Sequence, residues 1–337
     1  MKHLSIKDIA RLAGVAPSTV SFVVNGKHQE MRISEEMVKH IQAIIKKTGY
    51  IPNRAAASLR TGRTHVIGLI VEDIANAFFA SLAKSVESVA AKVGYRVVYG
   101  STENDDGKGN DLIQLLAKQV DGFLITPSIG MKTGVQALKK TKKPLVLIDR
   151  YFPDEDIPFA LVDNYGGVSQ ATEYLIEKNK KNIAFVNVAM DQVQMKERER
   201  AFVDVMHNRG LFQKKLLLRL PYYQDKTQYE SRIRSFLQKR PEIDAIIFAT
   251  NYLGMFGIKA LKDLDIAIPG RVAVLSFDDT DLFRFSSPAI SVISQPVQEI
   301  AAQAMRLLLE QMDAGQKKKH PEGGVLVSPE LILRNSV

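Results

Sequence analysis

The sequence predicts two fold classes in one chain: a small all-α helix-turn-helix head, then an α/β body of two lobes, each a doubly wound parallel sheet, enclosing a cleft. Three observations lead there. Ser5–Asn25 reads as two short helices around a tight turn. From Val66 onward short apolar runs alternate with helical stretches. That alternation comes as two consecutive series, with polar and aromatic residues just beyond the strand ends.

In the head, Ser5 with Asp8 three residues later is a variant of the capping box, so the first helix starts at Ile6. Gly14 can take the left-handed conformation that stops it, and Pro17 suits the first turn of the next helix, where its missing N–H costs nothing. The turn is Gly14-Val15-Ala16. Ile9, Ala10, Val15, Val20 and Val24 are spaced to face the helices toward each other, which leaves Pro17, Ser18, Thr19, Ser21 and Phe22 pointing outward, as a DNA major groove requires. Ser34-Glu35-Glu36 opens a third helix whose Val38, Ile41 and Ile45 close a three-helix core, and Gly49 ends it. Tyr50-Ile51-Pro52-Asn53 introduces a short Ala-rich segment, Arg54–Arg60, with Asn53 as its N-cap.

Charge singles out the same end of the chain. Residues 1–65 hold 11 Lys or Arg against four acids, a surplus of seven, which leaves only two of the net +9 for the rest. A basic head on a nearly neutral body suits phosphate binding, because each neutralised phosphate releases a counterion. Zero Cys excludes disulfides, thiolate metal sites and thiol nucleophiles. No apolar run reaches membrane-spanning length and the charged N-terminus lacks a signal-peptide core, so a cytoplasmic protein without a membrane partner is expected. There is no phosphate-binding Gly motif and no His pair at metal spacing, and four of the six His fall within residues 1–65. No enzyme activity, cofactor or metal is expected.

In the body, Val66–Val71, Arg96–Ser101, Gly122–Thr126, Pro144–Ile148 and Phe159–Val162 read as strands of one sheet, the last completing it, with helices near Phe78–Val93, Gly109–Gln119 and Thr133–Lys140. The second series is Asn182–Val188, Leu216–Leu220, Ala245–Ala249, Val272–Phe277 and Ile290–Ile293. The expected boundaries are 1–52 for the head, 53–63 for a hinge helix and linker, and 64–337 for the body. Its first lobe takes 64–162 and 296–324, its second 163–295 and 325–337.

The stretch IKDIARLAGVAPSTVSFVVNG, followed by GYIPNRAAASLRTGRTHVIGLI, closely resembles the N-terminus of the LacI/GalR family of bacterial transcription regulators, and the resemblance extends over essentially the whole chain. It implies a double-stranded, near-palindromic DNA operator as partner, with Ser5, Pro17, Ser18, Thr19, Ser21, Phe22 and Asn25 at the duplex. Thr19 and Ser21 would hold phosphates, and Pro17, Ser18 and Phe22 would lie at base edges. Phe22 stands where many relatives have Arg; it can contact a thymine methyl but cannot read guanine bidentately. The resemblance further implies that Asn53, Ala56, Leu59 and Arg60 belong to a hinge that orders when two copies meet on DNA, with Leu59 wedged into the minor groove. A homodimer follows. The chain stops soon after Val325–Val327 and Leu331–Arg334, without the leucine-rich helix by which the lac repressor forms tetramers.

The resemblance also gives the body a periplasmic-binding-protein-like fold with a small-molecule effector between the lobes. Asn76 and Phe78 lie in an Asn-Ala-Phe-Phe segment, where Ala77 replaces the family's Pro, and helical geometry lets only one of the two Phe face the cleft, Phe78. An aromatic face can stack on a pyranose while Asn76 bonds a hydroxyl. Asp149-Arg150 pairs an acceptor with a donor fork for neighbouring hydroxyls. Arg198 aligns with the family's effector-binding Arg. Asn251 matches its Asn, although Tyr252 replaces an acid. Asp278 and Gln295 follow later strands, and Tyr222 or Tyr223 could add a stacking face. These readings converge on a regulator, expected to be a repressor of carbohydrate-utilisation genes, controlled by a monosaccharide. A phosphosugar or nucleobase effector stays open, and the rival is a sugar-binding module without DNA regulation.

Overall fold

In the computed structural model, residues 4–50, 62–222, 225, 227–314 and 323–337 are described. They separate into two compact units, Met1–Thr64 and His65–Val337.

The head is three helices: α1 (Ile6–Ala13), α2 (Pro17–Val24) and α3 (Glu35–Thr48). Ser5 and Asp8 form the expected reciprocal cap, the Asp8 carboxylate accepting from Ser5 N at 2.9 Å. Gly14 takes φ +67°, which turns the next N–H, that of Val15, back to Ala10 O at 3.0 Å. Ser34 caps α3 by accepting from Met37 N at 3.3 Å, and Gly49 stops it at φ +64°. Ile9, Ala10, Val20, Val38 and Ile41 form the buried core with Tyr50. Val23 also faces inward, while Val15, Val24 and Ile45 are only half-buried. Three residues after Val20 is as much the same helical face as four, and Val23 takes the central place.

The body starts with β1 (Val66–Val71), α4 (Ala77–Lys92), β2 (Arg96–Ser101), α5 (Asp106–Leu116), β3 (Gly122–Ile125), α6 (Lys132–Lys140), β4 (Leu145–Ile148) and β5 (Phe159–Val162). It continues through α7 (Asn164–Glu177), β6 (Ile183–Val188), α8 (Val193–Asn208), β7 (Leu217–Leu220), α9 (Gln228–Gln238), β8 (Ala245–Phe248) and α10 (Asn251–Asp263). Then come β9 (Ala273–Phe277), α11 (Asp281–Phe285), β10 (Ser291–Ser294), α12 (Val297–Ala314), β11 (Gly324–Val327) and β12 (Glu330–Ile332).

The first sheet runs β11-β5-β4-β3-β1-β2 and the second β12-β10-β9-β8-β6-β7, the same order twice. Every pairing is parallel except β12 on β10. The near-continuous burial of β1, β3, β4, β6, β8 and β9 follows from helices covering both faces. One apolar cluster, including Leu69, Val146, Phe185, Leu275 and Met305, runs through both lobes, and separate clusters fill the far face of each sheet.

Two expectations are corrected. Phe159–Val162 does not complete the first sheet: Gly324–Val327 pairs beyond it in parallel, so residues 325–327 belong to the first lobe rather than the second. Gly324 permits this, because a Cβ there would stand 1.9 Å from a Phe159 ring carbon. The helix expected from Gly109 starts at Asp106, where Asp105 accepts from Lys108 N at 2.9 Å; the cap outweighs the low helix propensity of two glycines.

Among the described residues no helix is long and apolar enough to cross a membrane.

Candidate functional site

A parallel sheet of this order reverses direction between β1 and β3, and its twin between β6 and β8, and ligands bind beyond the carboxyl ends of strands at such points. The body has its inter-lobe cavity there. Asn76, Phe78, Asp149, Arg150, Arg198, Asn251, Asp278 and Gln295 all line it, drawn from both lobes and from the crossover into α12. Its volume is only about 40 Å³, close to that of one water molecule. Phe79 lines it as well as Phe78, the rings edge to face with centroids 5.0 Å apart, so the expectation that one of the two faces the cleft is corrected. Tyr222 is not in the lining; it packs half-buried against the outer core of the second lobe. Tyr223 lies outside the described residues.

Equivalent strands place equivalent carboxylates. Asp149 follows β4 at φ +63° and Asp278 follows β9 at φ +68°, the left-handed region that Asp enters more readily than most side chains. Arg198 serves both. Buried on α8, it donates from Nε to Asn164 Oδ1 at 2.7 Å and from Nη1 to Ala249 O at 2.6 Å, with its guanidinium 3.5 Å over the Phe277 ring. Burial pushes the Asp149 carboxyl up to about 7; Arg198 opposes the rise and Asp278 adds to it. Asp278 is also raised by burial, against the pull of Arg198 and of Gln295, whose Nε2 donates to Asp278 Oδ1 at 2.7 Å. Burial lowers the Arg150 guanidinium to about 9, which keeps it charged at neutral pH.

Side chains of the two lobes bond directly across the cavity. Asn251 Nδ2 donates to Asn76 Oδ1 at 2.9 Å, and Gln192 Nε2 donates to Asn104 Oδ1 at 3.0 Å. Asn76 Oδ1 also accepts from Phe78 N at 3.0 Å, so one oxygen caps α4 and ties the lobes. Sequence reasoning missed Glu72, Asn104, Gln192 and Gln194. Glu72 follows β1 and Asn104, at φ +59°, follows β2, so the strand-end rule that found Asn76 could have found both. A larger recess of about 480 Å³, lined by Ser81, Arg284 and Gln298 among others, adjoins the cavity and shares Phe78, Asp278 and Gln295 with it.

In the head, Pro17, Ser18 and Asn25 are exposed, while Thr19, Ser21 and Phe22 are half-buried. Ser5 is exposed but already bonded to Asp8 at 2.7 Å, and Asn25 Nδ2 donates to Ser21 O at 2.7 Å. Both therefore shape helix ends as well as surface. Asn53, Ala56, Leu59 and Arg60 lie outside the described residues.

Residues 5–53 match the family model of bacterial regulatory proteins, lacI family, and residues 172–337 a periplasmic binding protein-like domain. The HTH-type transcriptional regulator RegA of Clostridium saccharobutylicum is 30% identical over 334 residues, covering 98% of each chain. The chain belongs to the LacI family of bacterial regulatory proteins. This LacI-family regulator matches the transcriptional regulator CelR–cellobiose complex with TM-score 0.73 at 25% identity, over 99% of its own length and 100% of that chain. It shares the fold of the lac repressor bound to ONPG in the repressed state, with TM-score 0.86 and 19% identity over 100% of both chains.

Proposed function

We propose that this LacI-family regulator represses carbohydrate-utilisation genes and that a monosaccharide bound between its lobes controls it. The convergence of Asn76, Phe78, Asp149, Arg150, Arg198, Asn251, Asp278 and Gln295 on one cavity carries the reading. Carboxylates accept from sugar hydroxyls, guanidinium and amide groups donate to them, and aromatic faces cover the apolar side of the ring. The CelR structure holds a carbohydrate, cellobiose, in the same fold.

A cavity of about 40 Å³ cannot admit a sugar as it stands. A sugar therefore replaces the Asn76–Asn251 and Asn104–Gln192 bonds with bonds to itself and changes the angle between the lobes. The effector acts as a switch only through its different affinity for the two lobe arrangements. At the other end, Pro17, Ser18, Thr19, Ser21 and Phe22 meet the major groove, Ser5 and Asn25 flank them, and the hinge with Leu59 engages the minor groove of a near-palindromic operator, one copy per half-site.

A thermal-shift panel of monosaccharides, phosphosugars and nucleobases on the full chain tests the effector class. A ligand at 100 times its Kd stabilises by about 2.7 kcal/mol. Stabilisation by a neutral monosaccharide that also changes DNA retention supports the reading; stabilisation by nucleobases alone refutes it.

A further inference from the structure

We propose that Glu72 sets the charge of the effector pocket: by pairing with Arg150 it confines the site to uncharged, hydroxyl-bearing molecules and shuts out carboxylate and phosphate ligands. This rests on the inter-lobe cavity being the effector site.

An anionic ligand buried from water needs a cation whose charge is not already matched. Two guanidiniums line the cavity, Arg150 and Arg198, and no Lys or His does. The charge of Arg150 is matched by two carboxylates, although its Nε makes no hydrogen bond. Its Nη2 donates to the Glu72 carboxylate, its Nη1 donates to Asn104 Oδ1 at 2.9 Å, and its Nε sits 3.2 Å from Asp149 Oδ2. Both partners of the Glu72–Arg150 pair are shielded, with side chains 14% and 6% exposed. Arg198 spends Nε and Nη1 on protein oxygens and shares its charge between Asp149 and Asp278. Three carboxylates thus face two cations.

The atoms left over suit a neutral partner. Gln194 Oε1, an acceptor, and Asn104 Nδ2 and Arg150 Nε, both donors, are buried without a hydrogen-bond partner. The acceptor among them needs a ligand group that donates, which a hydroxyl does while also accepting, and which an ionised carboxylate cannot do. Without the Glu72 charge, Arg150 stays held through Asn104 and two carboxylates face two cations, so the surplus of negative charge that repels a ligand anion is gone.

The test uses the full chain as wild type, Glu72→Gln and the double variant Glu72→Gln/Arg150→Gln, with Glu72→Ala as a second single variant if the first folds poorly. Unfolding midpoints are read against sodium gluconate and inorganic phosphate, with sodium chloride matching ionic strength, and against neutral monosaccharides. Expected is a saturable rise with gluconate or phosphate in the Glu72 variant, at a half-saturation at least tenfold below any wild-type response, and its loss in the double variant. Equal anion response in wild type and variant overturns the proposal, as does an anion response that survives loss of Arg150 or never appears. If neutral sugars stabilise no form while the Arg150-dependent anion response does appear, the charge assignment stands and the monosaccharide reading falls.

Discussion

Asp149→Asn should stabilise this regulator at neutral and alkaline pH and do almost nothing in acid. The Asp149 carboxyl is raised from an ordinary 3.8 to about 7, chiefly by burial. Between those values the folded chain keeps a proton that the unfolded chain has released. The contribution of Asp149 therefore falls as pH rises through the window, at up to 1.36 kcal/mol for each pH unit, and is fully lost above the folded value. Across the window from 3.8 to about 7 the loss comes to about 4 kcal/mol. Asn cannot ionise, accepts the left-handed backbone at φ +63° and retains an acceptor oxygen for Gln194 Nε2, 3.5 Å away in the wild type. The variant's advantage should grow from near zero at pH 4 to about 4 kcal/mol at pH 8. Urea denaturation of both proteins at four pH values between 4 and 8 measures it. A difference that stays flat across the series, or an advantage for Asp149 at pH 8, would refute the burial argument.

Gly257→Ala puts a Cβ 2.0 Å from Phe248 Cζ in the second lobe and should cost about 1–3 kcal/mol, seen as a lowered unfolding midpoint; an unchanged midpoint contradicts the packing described. Asn76→Ala and Asn251→Ala should be non-additive in a double-mutant cycle, with a coupling of about 1 kcal/mol in urea denaturation, and strict additivity would mean that the inter-lobe bond contributes nothing. Leu59→Ala should weaken operator binding several-fold while leaving salt-sensitive binding to random duplex nearly intact, as read by gel shift; equal loss of both removes the wedge.

The head was legible almost residue by residue, because its signals are local: a capping box, a left-handed Gly and a Pro at the first helical position each act within one turn of the chain. The sheets were legible as strands but not at their edges. Nothing near Val325 states which lobe it joins, and the deciding contact, Gly324 against the Phe159 ring, spans more than 160 residues. In the cleft, the rule that ligand groups follow strand ends found the lining residues carried by family-like motifs, such as Asn76 and Asp149-Arg150. It passed over Glu72 and Asn104, whose importance is relational: each matters through Arg150, which comes from another strand end. Phe79 was missed because a helix start at Asn76 brings the first two aromatic residues both to the cavity wall.

The most direct test of the account is selection from a random duplex library by the full chain near physiological salt, repeated with the monosaccharide found by thermal shift. The account predicts convergence on a near two-fold-symmetric sequence and a retention of that sequence that the sugar changes at least tenfold. Absence of any preferred sequence, or retention indifferent to every stabilising ligand, would contradict it.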